Sequence, residues 1–171
     1  MCVMDKKKNG SNRLVMLLIA IILLVGNAEA AVVPSSSSKQ TLELKPGWNL
    51  VTLTRPLDSM QGNVQKFLSL KPIRFDVNNG AYVVCERMED LKAGIGYWVF
   101  SREKQTIELA LDGTQPVAEP TLASGWNLVG KTDSEAWAET ATLIWGWENG
   151  YFKIISNNEL KVGHAYWAMM P

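Results

Sequence analysis

The chain has 171 residues, 47% hydrophobic and 20% charged, and its 17 basic and 17 acidic side chains give a formal net charge of zero. This composition excludes a disordered chain and leaves room for one domain or two small ones. No basic cluster lies beyond the first thirteen residues, so a phosphate-binding surface has no electrostatic support and no nucleic-acid partner is expected.

The N-terminus reads as a secretory signal peptide. Lys6, Lys7, Lys8 and Arg13 form a basic region, residues 14–26 (LVMLLIAIILLVG) an apolar run, and Ala28-Glu29-Ala30 an A-x-A cleavage site. Cleavage is expected after Ala30, which places the mature chain in the periplasm, at the cell surface or outside the cell. The apolar run is short for a bilayer that needs roughly twenty residues, so no membrane span is expected after cleavage. The rival reading is an uncleaved signal anchor. Loss of residues 1–30 leaves 13 Lys and Arg against 15 Asp and Glu, a net charge of −2. It also leaves one cysteine, Cys85. The mature fold therefore has no internal disulfide and rests on packing, even in an oxidising compartment. Cys85 lies in an apolar run and reads as a buried small hydrophobe.

Residues 31–40 (AVVPSSSSKQ) read as a Ser-rich tether. Two copies of one repeat follow, at residues 41–111 and 121–171, with residues 112–120 as the join. GWNLV stands at residues 47–51 and again at 125–129. Leu91-Lys92-Ala93-Gly94 matches Leu160-Lys161-Val162-Gly163, and residues 75–80 (FDVNNG) align with residues 145–150 (WGWENG). The order and spacing agree, which marks an internal duplication.

Each copy begins with the GWNLV strand, entered through a Pro-Gly or Ser-Gly turn. A short helix comes next. Met60, Val64, Phe67 and Leu68 recur at i, i+4, i+7 and i+8 behind Asp58 or Ser59 as N-cap, and Thr132-Asp133-Ser134-Glu135 offers a capping box before Trp137 and Ala141. A hairpin turning at Asn79-Gly80 or Asn149-Gly150 is expected, with a two-residue type I′ turn. A loop bearing Leu91 or Leu160 leads to a final Tyr-Trp strand, residues 96–101 or 165–170. Copy one adds a strand at residues 106–111. Fifty to seventy residues make a marginal core. The expected fold is therefore mainly β, an α+β arrangement with one short helix per repeat, in which two tandem pseudo-twofold-related repeats pack as one unit.

All seven tryptophans lie in the mature part. Strand alternation puts apolar residues on both faces of the Trp strands, so Trp48, Trp98, Trp126 and Trp167 are expected in the repeat core. Asn49 and Asn127 are expected to tie down backbone there. Trp145, Trp147, Tyr151 and Phe152 share one hairpin and form a candidate ligand face, because pyranose C–H faces stack on indoles; alternatively this face packs on the other repeat. Catalytic chemistry is not expected. His164, the lone histidine, matches Ile95 in copy one and reads as a loop or surface residue. No zinc spacing, P-loop, dinucleotide fingerprint, nucleophile elbow or calcium loop occurs, so no metal or cofactor is expected. Glu89 and Asp90 read as solvated loop charges, and no matched carboxylate pair suggests a glycosidase.

The order Gly-Trp-Asn-Leu-Val, aromatic Asn-Gly hairpin, Leu-x-x-Gly-x-(Gly/Ala)-Tyr-Trp resembles Trp-rich repeats of bacterial secreted and cell-surface proteins. The resemblance covers nearly all of residues 41–171. It implies an extracytoplasmic, β-rich, non-catalytic module that usually accompanies adhesion-type or polysaccharide-degrading modules. The expected role is a secreted or cell-envelope binding or structural module, with a polysaccharide or a cell-envelope protein as partner. The alternatives are a small carbohydrate-binding protein using the aromatic hairpin and, more remotely, a hydrolase.

Overall fold

The computed structural model of the chain describes residues 37–58, 63–133 and 136–171. The expected signal peptide and its cleavage site lie outside these residues, as do Ser59, Met60, Ser134 and Glu135. Among the described residues no helix is long and apolar enough to cross a membrane.

The fold is mainly β. Copy one contains β2 (Gly47–Thr52), α1 (Val64–Ser69), β3 (Ile73–Asp76), β4 (Ala81–Val84) and β5 (Gly96–Ser101). Copy two repeats this order as β7 (Gly125–Gly130), α2 (Ala136–Thr140), β8 (Leu143–Trp147), β9 (Tyr151–Ile154) and β10 (Ala165–Met170). Each copy closes its own four-stranded antiparallel sheet, in the order β2-β5-β3-β4 and β7-β10-β8-β9. Two further strands, β1 (Ser37–Leu44) and β6 (Gln105–Asp112), pair antiparallel as a ribbon unique to copy one. The strand thus begins inside the expected tether: Ser37–Gln40 are paired with Leu109–Asp112.

The inner face of the first sheet, with Tyr97 and Val99, packs on Phe67 of α1 and on Leu42, Leu44, Ile107 and Leu109 of the ribbon. Buried Val64, Phe67 and Leu68 give α1 its one apolar stripe. Its N-cap is Asn63, without a side-chain cap bond; Asp58 instead donates its backbone N–H to the Ala110 carbonyl at the edge of β6. In copy two, Trp137 of α2 takes the place of Phe67. The ring pairs Phe67–Tyr97 and Trp137–Tyr166 both sit 6.4 Å apart, and the Trp137 indole N–H donates to the Gly130 carbonyl. Trp137, outside the repeated motifs, is 3% exposed and is the most buried tryptophan among the described residues.

Three local devices recur in both copies and explain most of the repeated letters. Gly47 (φ 96°) and Gly125 (φ 93°) turn the chain through left-handed backbone that other residues avoid. The amide two residues on clamps that turn: Asn49 accepts from Lys45 N–H and donates to the Lys45 and Gly47 carbonyls, and Asn127 does the same at Ala123 and Gly125. At the other end, the Tyr97 and Tyr166 hydroxyls accept from the backbone N–H of Lys92 and Lys161. Between these devices a carboxylate closes a 3₁₀ turn. Asp90 accepts from Glu86 and Arg87 N–H, and Glu159 from Ile155 and Ser156 N–H. Asp90, a loop charge that solvent still reaches, therefore also serves as a cap; the backbone hydrogen bond from Arg87 leads the effects that hold its carboxyl below the usual range.

The hairpins depart from expectation. Phe75 pairs with Tyr82 and Trp147 with Tyr151, while Ile73 and Trp145 stand opposite the equivalent Trp98 and Trp167. Phe75 therefore corresponds to Trp147 and Ile73 to Trp145, two positions away from the sequence alignment. The turns are not two-residue type I′ loops. Residues 77–80 form the first, with positive φ at Gly80 but not at Asn79; residues 148–150 form the second, with Asn149 at φ 59°.

The two copies are related by a pseudo-twofold, visible in reciprocal pairs. Val51 bridges His164, and its counterpart Val129 bridges Ile95. Thr52 N–H donates to the Gly163 carbonyl, and Gly130 N–H to the Gly94 carbonyl. Residues that would meet themselves across this axis cannot both carry side chains. A Cβ on Gly130 would stand 2.0 Å from Thr52 Oγ1, where Thr52 is its own counterpart; a Cβ on Gly96 would stand 3.0 Å from the Cβ of its counterpart Ala165.

Candidate functional site: paired aromatic pockets between the repeats

The outer faces of the two sheets meet over Leu50, Trp98, Leu128 and Ala165, with Ile73, Phe75, Trp147 and Trp167 packed against them. The ring contacts obey the same pseudo-twofold. Trp98 meets Trp147 at 5.2 Å and Trp167 meets Phe75 at 5.1 Å, both edge to face. Trp98 meets Tyr151 and Trp167 meets Tyr82, each at 6.4 Å. Trp48 flanks Trp98 as Trp126 flanks Trp167, at 6.3 and 6.4 Å. Such contacts each contribute about 0.5–1.5 kcal/mol beyond the area they bury. One indole also bonds across the repeats: Trp147 Nε1 donates to the Trp48 carbonyl at 3.1 Å.

Two pockets open beside these contacts. The first, of about 480 Å³, is lined by Phe75, Trp126, Trp145, Tyr151 and Trp167. The second, of about 420 Å³, is lined by Trp48, Ile73, Tyr82, Trp98, Trp147 and Tyr151. Exchanging each residue of the first for its counterpart (Trp147, Trp48, Ile73, Tyr82 and Trp98) reproduces the second, to which Tyr151 is added as a shared wall. The symmetry is broken at two matched lining positions, where Trp145 and Phe75 of the first pocket take the places of Ile73 and Trp147 in the second. Among the described residues, none that lines either pocket is charged.

These positions correct the expected core. Trp98 is 8% exposed and does belong to it, but Trp48 and Trp126 are 48% and 39% exposed and line the pockets. Alternation along GWNLV explains why. The clamped turn fixes Asn49 and Asn127 on the inner face, which turns the preceding indole outward to the end of the inter-repeat face. Asn127 is buried and Asn49 is half-buried.

The candidate hairpin is split by its own pleat. Trp145, Trp147 and Tyr151 reach the pockets, Trp145 in one, Trp147 in the other and Tyr151 in both. Phe152 pairs with Gly146 and lies over it on the opposite face, with its ring where a Cβ at 146 would stand. Trp147 also packs on the other repeat, so the ligand-face and packing readings apply to the same residue. Sequence reasoning missed Phe75 and Tyr82, whose role is hidden by the longer first loop.

Polar groups flank the site, Lys153 among them, directly across the strand from Trp145. At the rim, Lys45 and Glu148 form an ion pair between the repeats at 3.2 Å, and the Lys45 hydrogen bond leads the effects that hold the Glu148 carboxyl below its usual range. His164 is exposed. Cys85 is buried, and burial pushes its thiol up to about 11; a thiol so held stays protonated at neutral pH. Among the described residues no cluster of three His, Cys, Asp or Glu side chains could hold a metal ion.

Comparison with protein-family models, curated proteins and solved structures gives no match.

Proposed function

We propose that the chain is a non-catalytic binding module, secreted or held at the cell envelope, that grips neutral pyranose rings of a polysaccharide in its two aromatic pockets. The observation that carries this reading is the pair of pseudo-twofold-related pockets lined by uncharged residues, most of them aromatic. A pyranose with equatorial substituents presents apolar C–H faces that pack on indole and phenol rings. Its hydroxyls find donors and acceptors at the indole N–H and phenol O–H edges. The uncharged lining suits a neutral ring over an acidic or phosphorylated one, and the volumes fall in the range of small-molecule sites. The secreted address rests on the N-terminal pattern and the Trp-rich resemblance.

The test is calorimetric and fluorescence titration of the chain with cellohexaose and chitohexaose, with decaproline as a peptide alternative that also favours aromatic grooves. The reading predicts binding of at least one oligosaccharide, with a shift in tryptophan emission. Trp126→Ala and Trp48→Ala should weaken it without loss of folded signal. Binding of decaproline alone would reassign the pockets to Pro-rich segments. A second reading, that the rings serve only to join the repeats, is favoured by the Trp147 bond to Trp48 and predicts no binding of any of these probes.

A further inference from the structure

Resting on the sugar-binding reading, we infer that each chain holds two polymer segments at once and so cross-links them. Symmetry sets the number of segments. The pockets are images of one another under the pseudo-twofold, as the reciprocal contacts Trp98–Trp147 and Trp167–Phe75 and the matched linings require. A glycan chain has a direction, from non-reducing to reducing end. A twofold maps a straight line onto itself in two ways: the line lies along the axis, or it crosses the axis at a right angle and is reversed in direction. A single straight glycan that runs from one pocket into the other crosses the axis and therefore meets the two pockets in opposite orientations. Equivalent binding at both needs two segments, either two chains or one chain that folds back. The uncharged linings favour this arrangement, because two neutral segments held close together do not repel.

The shared wall at Tyr151 keeps the two occupants neighbours, and the unlike pairs Trp145/Ile73 and Phe75/Trp147 make the sites unequal in strength while leaving their number at two. Trp126 belongs to one pocket and Trp48 to the other, and both are substantially exposed, so each pocket has a private residue whose removal spares the core.

The experiment uses the whole chain. Titration with cellohexaose and chitohexaose measures stoichiometry, and light scattering with hydroxyethylcellulose and glycol chitin measures cross-linking. The expected result is two oligosaccharides per chain and scattering that rises and then falls as protein is added in excess. Trp126→Ala and Trp48→Ala should each reduce the stoichiometry from two to one and abolish the scattering rise, while binding at the remaining site persists. A stoichiometry of one, lost with either substitution, would replace the two sites by one continuous groove and overturn the cross-linking inference while leaving sugar binding intact. No binding of either oligosaccharide would overturn both.

Discussion

At the scale of single residues, the repeated letters are mostly turn chemistry. Asn127 is 1% exposed and its amide makes three backbone hydrogen bonds. Replacement by alanine leaves those backbone groups without partners, so Asn127→Ala should cost about 2–3 kcal/mol in urea unfolding. Asn49→Ala should cost less, about 1 kcal/mol, because water reaches its half-buried turn. The structural part of these asparagines was legible, since an amide inside an apolar strand needs a partner. The exposure of Trp48 and Trp126 was not. Alternation along a strand shows which residues share a face but not where along that face the neighbouring sheet stops.

Cys85 offers a second test at this scale. Its thiol is raised from an ordinary 9.0 to about 11, chiefly by burial. The folded state therefore holds this proton more tightly than the unfolded chain does. The associated stability is fully present below pH 9.0 and is lost as the pH rises through about 11. In a Cys2→Ser background, alkylation of the native chain at pH 8 should be far slower than that of the urea-unfolded chain, and Cys85→Ala should flatten the loss of stability at high pH.

At the scale of elements, the pseudo-twofold constrains pairs of positions. Thr52 fills the space that a side chain on Gly130 would need, and its hydroxyl donates to the Ile95 carbonyl at 2.7 Å. Gly130→Ala should destabilise by about 3 kcal/mol, since the neighbour is a buried β-branched residue that cannot swing away. Exchanging the pair, Thr52→Gly with Gly130→Thr, should recover much of that loss, because the new hydroxyl faces the His164 carbonyl, the counterpart of Ile95. A double variant as unstable as the sum of its parts would argue against the pseudo-symmetric contact.

The element order within each copy, both final strands and the presence of one short helix per copy could be read from periodicity and turn residues. The hairpin register could not. Aligning the two Asn-Gly pairs matched the turn residues, whereas the structure matches the strand residues that face Trp98 and Trp167 and lets the loop lengths differ. The β1–β6 ribbon was half legible: residues 106–111 read as a strand, but its partner begins in a Ser-rich stretch with weak strand preference, where Leu42 and Leu44 bury against the core and decide the outcome.

At the scale of the molecule, neither copy has a complete set of partners without the other. Leu50 and Trp98 of one repeat are buried with Leu128 and Ala165 of the other, so the described residues should unfold in one cooperative transition, seen alike by far-ultraviolet circular dichroism and tryptophan emission. The most direct test of the aromatic junction is ¹⁹F NMR of 5-fluorotryptophan-labelled chain, assigned by single Trp→Phe substitutions. The solvent-isotope shift in D₂O reads the exposure of each indole. Large shifts are expected at Trp48 and Trp126 and small shifts at Trp98 and Trp137. A shift at Trp98 as large as that at Trp48 would mean that the two repeats do not close on each other, and would contradict the junction from which both pockets are built.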